Sequence, residues 1–410
     1  MTASILQRLA QSASTPRPVI HLSLEDSIIE ASDLADGNIE KLSHIAAEVE
    51  GHSNDISIAA GVSDNLTDLV DKSIAACGAD GFDEGDADLL RLSVEAILVN
   101  ADIYIPATMI VPSFESSNGN YSAEVAEKKD GIIRRIITWL HEAMKAIAGA
   151  FVRFWENLTD SGKSIENYAE KVKAKVDGLA KEAKADADSV SVGNGATYLV
   201  DKHSRIEPPS RHVVQAVAYF EDFAIEWRNG WKRLVEFPLP STMTPDTADQ
   251  FGKNITEFAE KSIAIKDIKI DITPNHYLEM TPGNGANPVM GTKIRVNQSS
   301  VVNTTKADML SLAELKTGIN VCNDGLKVLE QLKREMNAFT AITDKVGKLS
   351  KNVRLTENSS ADVTVFRSAI STLNKSCSLA AWGWINATPY FLKTIKASIR
   401  YIDECAKAYN

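Results

Sequence analysis

Residues 132–158 read IIRRIITWLHEAMKAIAGAFVRFWENL, and this stretch decides the fold class. Apolar side chains recur in it every three or four positions, which is the spacing of one face of an α-helix. Charged residues interrupt every window of about 20 residues that would be needed to span a bilayer. The pattern therefore predicts a strongly amphipathic helix. Its apolar face consists of Ile133, Ile136, Ile137, Leu140, Met144, Ile147, Phe151, Phe154, Trp155 and Leu158.

Turn-forming residues follow this helix at positions 159–162, where the sequence reads TDSG. A second, more charged helix is predicted from about residue 164 to residue 186, with a narrow apolar stripe. Together the two segments predict an amphipathic helical hairpin over residues 131–190. Because its lysines alternate with acidic residues, the second arm is expected to be largely solvated. These lysines are Lys163, Lys171, Lys173, Lys175, Lys181 and Lys184.

Residues 191–410 are predicted to form a mainly helical body with a small antiparallel sheet near residues 262–301. The run IAIKDIKIDI at 263–272 alternates apolar and polar residues, as a half-buried strand does. Thr305 is a candidate cap for a following helix, and a C-terminal helical bundle is predicted to end in a helical region interrupted near Gly383 and Pro389. The predicted fold class is mainly α with a small antiparallel β insert (α+β).

Charge is distributed unevenly along the chain. Residues 1–115 contain 20 acidic and 5 basic residues, so the remaining residues contain 55 − 20 = 35 acids and 44 − 5 = 39 bases. The net charges are −15 and +4, and such an asymmetry indicates a separable segment. Residues 23–105 read as helices with acidic faces, broken at 61–64 and 78–86. The sequence thus predicts an acidic helical propeptide over residues 1–115, packed as a small bundle of its own.

An exposed linker is predicted at residues 116–130, within the longer stretch 106–130, where two prolines and a cluster of Ser, Asn and Gly end the helical periodicity. Linkers of this composition present extended backbone to proteases. The sign of the charge also changes here. The predicted order is therefore propeptide, linker, helical hairpin and helical body.

The residue types that carry enzyme chemistry are scattered. The four cysteines have no paired spacing of the kind that binds zinc, and the seven histidines form no i,i+4 metal pair. The glycines in TPGNGANPVMGTK, at 281–293, precede a strand-like segment, which favours a hairpin turn over a phosphate-binding loop. We predict no catalytic site, no cofactor-binding site and no metal site. The chain starts without a secretory signal, so synthesis in the cytoplasm is expected.

Several stretches resemble a family of internal head and virion structural proteins of giant tailed myoviruses. They are IYIPATMIVPSFESS at 103–117, the segment at 132–158 with its Lys/Ala-rich successor, the MTPGNG turn at 280–285 and the helix near Lys306. The resemblance implies a noncatalytic virion protein that is made in the host cytoplasm and packaged inside the capsid. It also implies other head or scaffold proteins as partners, and nonspecific contact with packaged DNA.

The resemblance further implies cleavage by a prohead protease, which in such phages recognises a small residue, any residue and then glutamate. Ser113, Phe114 and Glu115 match this motif in the stretch 106–130, directly before the predicted linker, so the cut is expected between Glu115 and Ser116. Ser122, Ala123 and Glu124 lie in the linker and form the alternative site. Three further triplets are expected to be protected within helices, at residues 23–25, 93–95 and 164–166.

Two other functions stay open from the sequence. The helix at 131–159 has an apolar face opposite basic residues, so it suits a membrane interface as well as a bundle core, although Glu142 and Glu156 weaken the membrane interpretation. A membrane-active protein ejected with the DNA is therefore one alternative. An ejected effector directed at the host is the other, and a deep pocket that gathers Asp, Glu or His would favour it.

Overall fold

The computed structural model describes residues 23–77, 82–101, 106–112, 121–181, 183–201, 203–236, 268–284, 288–302, 304–329 and 360–409, with residues 250, 253–255, 257, 341 and 344. The helices are α1 Leu24–Cys77, α2 Glu84–Asn100, α3 Tyr121–Gly178, α4 Ala196–Leu199, α5 Pro209–Glu236, α6 Pro288–Gly291, α7 Leu312–Leu326 and α8 Ser360–Lys407. The strands are β1 Ser189–Ser191, β2 Ile268–Thr273, β3 His276–Thr281, β4 Lys293–Gln298 and β5 Lys306–Asp308. Short 3₁₀ turns lie at Ala107–Met109 and Gly193–Gly195.

Three long helices, α1, α3 and α8, form the centre of the molecule. Helix α1 packs along α3 and also against α8, and α3 packs against α8. Their buried apolar residues belong to one hydrophobic core, which α5, α7 and the sheet extend. The described helices of residues 1–115 therefore do not form a bundle of their own. Ser23 caps α1, because its hydroxyl accepts from the Asp26 amide at 3.1 Å.

The predicted antiparallel sheet is confirmed as three strands in the order β2-β3-β4. Its β3–β4 connection requires glycine, since a Cβ on Gly283 would lie 2.5 Å from the Cα of Gly291. A second sheet, which the sequence analysis missed, pairs β1 with β5 in antiparallel register, with Val190 opposite Ala307. The fold class, mainly α with a small antiparallel β insert, is confirmed.

The predicted helical hairpin is wrong, because α3 continues through residues 159–162 to Gly178. Two of the residues expected to make the turn form side-chain hydrogen bonds inside the helix. The hydroxyls of Thr159 and Ser161 donate to the carbonyls of Trp155 and Asn157, at 3.1 and 2.7 Å. The buried stripe also continues on the same face. Its members beyond the expected turn are Ile165, Tyr168, Val172 and Val176, each at most 1% exposed.

Other predicted breaks are also spanned by helix. Residues 121–130 of the predicted linker belong to α3, residues 61–64 lie within α1, and Pro389 lies within the unbroken α8. Burial on α1 and α8 is dense around these positions, and packing outweighs the local cost of a poor helix former. The predicted cap at Thr305 is wrong as well. Ser311 caps α7 through a capping box with Glu314, and Lys306–Asp308 form β5.

Candidate functional site

The structure describes only some of the predicted cleavage residues. Ser113, Phe114, Glu115 and Ser116 lie outside the described residues. Ser122, Ala123 and Glu124 form the first turn of α3, and the Glu124 carboxylate pairs with Lys128 at 3.2 Å. The alternative site is therefore helical, which corrects its placement in an extended linker. A protease that requires extended backbone has to unwind this turn.

The three triplets that were expected to be protected do lie on helices. Residues 23–25 form the capped start of α1, residues 93–95 lie in α2 and residues 164–166 lie in α3. The hydroxyl of Ser164 accepts from the side-chain amide of Asn38 at 2.8 Å in the interior, so this triplet is also held by a neighbouring helix. All three triplets thus stand on helical backbone, which a protease that needs extended chain would first have to unwind.

The described chain on either side of Glu115 is closely held. The hydroxyl of Tyr121, at the start of α3, donates to the carbonyl of Pro112 at 2.8 Å. The ring of Tyr121 also meets Phe82 edge-on, with centroids 5.3 Å apart. Ile110 and Val111 are buried just before Pro112. The two ends of the segment that contains Glu115 are therefore anchored next to each other in the core.

We call residues 1–115 the leader, residues 116–410 the body, and the contact of α1 with α3 and α8 the seam. Among the described residues, four ion pairs cross the seam, and each joins an acid of the leader to a cation of the body. Lys129, only 1% exposed, pairs with Asp71 at 2.6 Å, and Lys175 pairs with Glu25 at 2.5 Å. The other two pairs are Lys396 with Asp36 and Arg153 with Glu48.

Hydrogen bonds from lysines of the body to uncharged groups of the leader also cross the seam. The Lys171 ammonium donates to the Ser27 carbonyl at 2.9 Å. Lys375, 5% exposed, donates to the carbonyl and the hydroxyl of Ser53 at 3.3 and 3.1 Å. Burial lowers the pKa of Lys375 to about 8, because the charged ammonium is poorly solvated there. The sequence analysis missed the seam, since its partners lie more than 50 residues apart along the chain.

The pKa of Lys375 predicts a pH dependence of stability. Its ordinary value of 10.5 applies to the unfolded chain, so between pH 8 and 10.5 the unfolded state binds more protons and the folded state gains stability as the pH rises. We expect Lys375→Met to remove a gain of up to about 3 kcal/mol between these limits. Urea unfolding of the unchanged protein and of Lys375→Met, each at pH 8 and at pH 10.5, measures this gain in stability.

A matched control for this experiment is Lys72→Met, because Lys72 is exposed on α1. Tyrosines and cysteines that titrate in the same range contribute equally to all three proteins, so the difference between proteins isolates Lys375. An identical pH slope in Lys375→Met and in the unchanged protein would contradict the assignment. Below pH 8 the ammonium is protonated in both states, and no slope from Lys375 is expected there.

The described surface includes two sizeable cavities. One of about 510 Å³ lies where α1, β4 and α8 meet, and its charged lining is Glu50, Lys293, Arg295 and Lys375. The other, of about 560 Å³, lies between α3 and α7, where acids and lysines of the two helices alternate. No histidine or cysteine is among the described residues that line either cavity. Among the described residues, no group of three or more metal-ligating side chains occurs.

The buried histidines and cysteines serve packing. Desolvation lowers the pKa of His212 and of His276 to about 4, so both rings are neutral at pH 7. His276 stacks on Tyr198 with centroids 5.4 Å apart. Burial raises the pKa of the Cys377 thiol to about 12, which keeps it protonated and unreactive.

A family model for phiKZ-like phage internal head proteins matches residues 18–404. The chain belongs to this family. The match covers α1 and α2 as well as the body, so the leader helices are part of what defines an internal head protein of this kind. An internal head protein resides within the virion head. No curated protein and no solved structure matches the chain.

The aromatic face of α3 is a core face in this internal head protein. Phe151, Phe154 and Trp155 are each at most 5% exposed and contact one another with ring centroids 6.0 to 6.4 Å apart. Of the two interpretations given for this helix, the bundle core is the one realised in the fold. No helix in the described part of the chain is both long and apolar enough to cross a membrane.

Proposed function

We propose that this chain is a noncatalytic structural protein of the virion, made as a precursor and cleaved after Glu115 by the prohead protease as the head matures. The observation that carries the proposal is the family match over residues 18–404, because an internal head protein is assembled inside the capsid. The helical setting of the other four Ser-x-Glu triplets supports Glu115 as the site of the cut.

Other head or scaffold proteins are the proposed partners during assembly, along with nonspecific contact with packaged DNA. The net charge of the body, +4, supports attraction to phosphates, whereas the leader contributes −15. The full chain, at −11, is repelled by DNA. In this proposal the leader therefore delays contact with DNA until the head is assembled.

The N-terminus of the virion form tests the cleavage. Mass spectrometry of protein from purified particles is expected to find a chain that begins at Ser116. In phage that encode Glu115→Gln, the chain should stay uncut, because the protease requires the glutamate. The matched variant Glu124→Gln, at the helical alternative site, should still be cut at Ser116.

Two results would contradict the proposal. A chain in mature particles that retains the residues before Glu115 would exclude cleavage there. A cut lost in Glu124→Gln but kept in Glu115→Gln would move the site to the first turn of α3. The membrane-active alternative receives no specific support, since Phe151, Phe154 and Trp155 of α3 are buried.

A further inference from the structure

We infer that cutting the chain between Pro112 and Tyr121 does not release the leader, which stays on the body as a second, noncovalently bound chain. The interaction surface is the seam, and the partner that fits it is the leader itself. This inference rests on the proposed cleavage and states its immediate product. The contacts that carry it all lie among the described residues, away from the cut.

Both new chain ends would be anchored. On the leader side, Ile110 and Val111 are buried directly before Pro112, and on the body side Tyr121 and Val125 are buried at the start of α3. The hydrogen bond from Tyr121 to Pro112 joins the two sides without using the intervening chain. A cut between them therefore breaks a peptide bond and no described packing contact.

The apolar contact of the leader runs the whole length of α1. This helix has 54 residues and is about 80 Å long, and buried positions occur from its second turn to its last two turns. Because they belong to the same hydrophobic core as α3 and α8, release of the leader would open that core to water. The largest of these side chains are Ile28, Ile39, Leu42, Ile45, Val49, Ile56, Val62, Leu66 and Val70.

The ion pairs give the seam its selectivity for an acidic helix. Lys129, Lys175 and Lys396 are each at most 11% exposed, and their carboxylate partners on α1 are half-exposed or more. Removing α1 would separate each ammonium group from its carboxylate and return both to water, so the pairs favour an acidic helix over a neutral or a basic one. Lys175 would keep a second carboxylate, that of Asp403 at 3.1 Å, and Lys129 would keep the more distant one of Asp130 at 3.9 Å. An acidic amphipathic helix therefore fits this surface better than a neutral one.

Retention of the leader also governs how the cut protein binds DNA. As long as the leader stays, its acids occupy the cations of the seam, and the two chains together keep the charge of the precursor. Cleavage alone then leaves the affinity for a short DNA duplex within about twofold of that of the uncut protein. Tight contact with DNA requires a further event that removes the leader, such as digestion of the leader itself.

The experiment uses the full chain with a site for a sequence-specific protease in place of residues 114–119. After complete cutting, a denaturing gel should show two fragments, while size-exclusion chromatography with light scattering at physiological ionic strength should show one species of the uncut mass. A leader that elutes apart from the body would overturn the inference. A DNA affinity that rises about tenfold on cutting, with the leader still bound, would overturn the charge argument.

Charge-reversal variants test the ion pairs. The set Glu25→Lys, Asp36→Lys, Glu48→Lys and Asp71→Lys should speed dissociation of the cut leader by at least about tenfold. The matched set Glu30→Lys, Asp33→Lys, Asp55→Lys and Asp68→Lys changes the charge equally, at acids of α1 that form no pair with the body among the described residues. Equal release from both sets would refute a specific role for the four pairs.

A second measurement covers the case in which the first set fails to fold. In the unsubstituted cut protein, the four pairs predict that dissociation of the leader becomes faster as salt is added. A rate independent of salt would contradict them. Because the chain is cut at the engineered site, this measurement does not depend on the phage protease. Retention of the leader can therefore be shown even if the virion protein is found uncut at Glu115.

Discussion

Leu42→Ala is expected to lower the free energy of unfolding of the whole chain by about 2–5 kcal/mol, although Leu42 lies in the leader. Its side chain is fully buried on the face of α1 that meets the body. Leu34→Ala is the matched control, since Leu34 lies on the same helix and is 54% exposed. That substitution should change the free energy by less than about 0.5 kcal/mol.

The tryptophans make this prediction decisive. All six lie in the body, so tryptophan fluorescence follows unfolding of the body alone, whereas circular dichroism follows the helices of both parts. With one shared core, Leu42→Ala should move both urea transitions together. An early transition seen only by circular dichroism, with the fluorescence midpoint unchanged, would show that the leader folds as a unit of its own.

Phe220→Ala is expected to cost about 3–5 kcal/mol in stability. Phe220 is fully buried on α5 and stacks on Phe391 of α8, with ring centroids 4.6 Å apart. It also meets Trp384 edge-on at 6.1 Å. The control Val214→Ala, on the same helix and 57% exposed, should stay within about 0.5 kcal/mol of the unsubstituted protein.

Chemical denaturation of Phe220→Ala, Phe391→Ala and the double variant measures the ring contact separately. The coupling energy of the pair is expected to be about 0.5–1.5 kcal/mol beyond the loss of buried area. A loss below about 1 kcal/mol in Phe220→Ala would mean that the surrounding helices close the cavity, and the packing described for α5 against α8 would need revision.

Helical periodicity in the sequence was sufficient to predict the helical class and the amphipathic face of α3. The alternating run at 263–272 was likewise sufficient to place the three-stranded sheet. The sequence could not reveal that α3 runs through residues 159–162, since TDSG has turn composition and only the hydroxyl bonds within the helix show that it is satisfied there. Strands β1 and β5 have three residues each and pair across more than 100 positions, so no local pattern marks them.

The seam was beyond sequence analysis for a related reason. Lys171 and Lys175 lie on a segment whose alternating charges are typical of a solvated helix, and the sequence analysis interpreted them so. In the structure both contact α1, whereas Lys173 pairs locally with Asp177 at 2.5 Å. Which lysines of a charged helix face a neighbour is decided by packing between segments far apart in sequence. The uneven charge of the chain was the visible signal of the seam. It was interpreted as the mark of a separable acidic segment, whereas in the fold the acids of that segment attach it to the body.

The order of synthesis gives the position of α8 a further significance. Helix α1 leaves the ribosome first, yet one of the two helices that cover it, α8, is translated last. At about 5–20 residues per second, the interval between them is on the order of tens of seconds. Throughout that time the nascent chain displays an uncovered apolar ridge, so co-translational chaperones are expected to engage α1 until the final helix emerges.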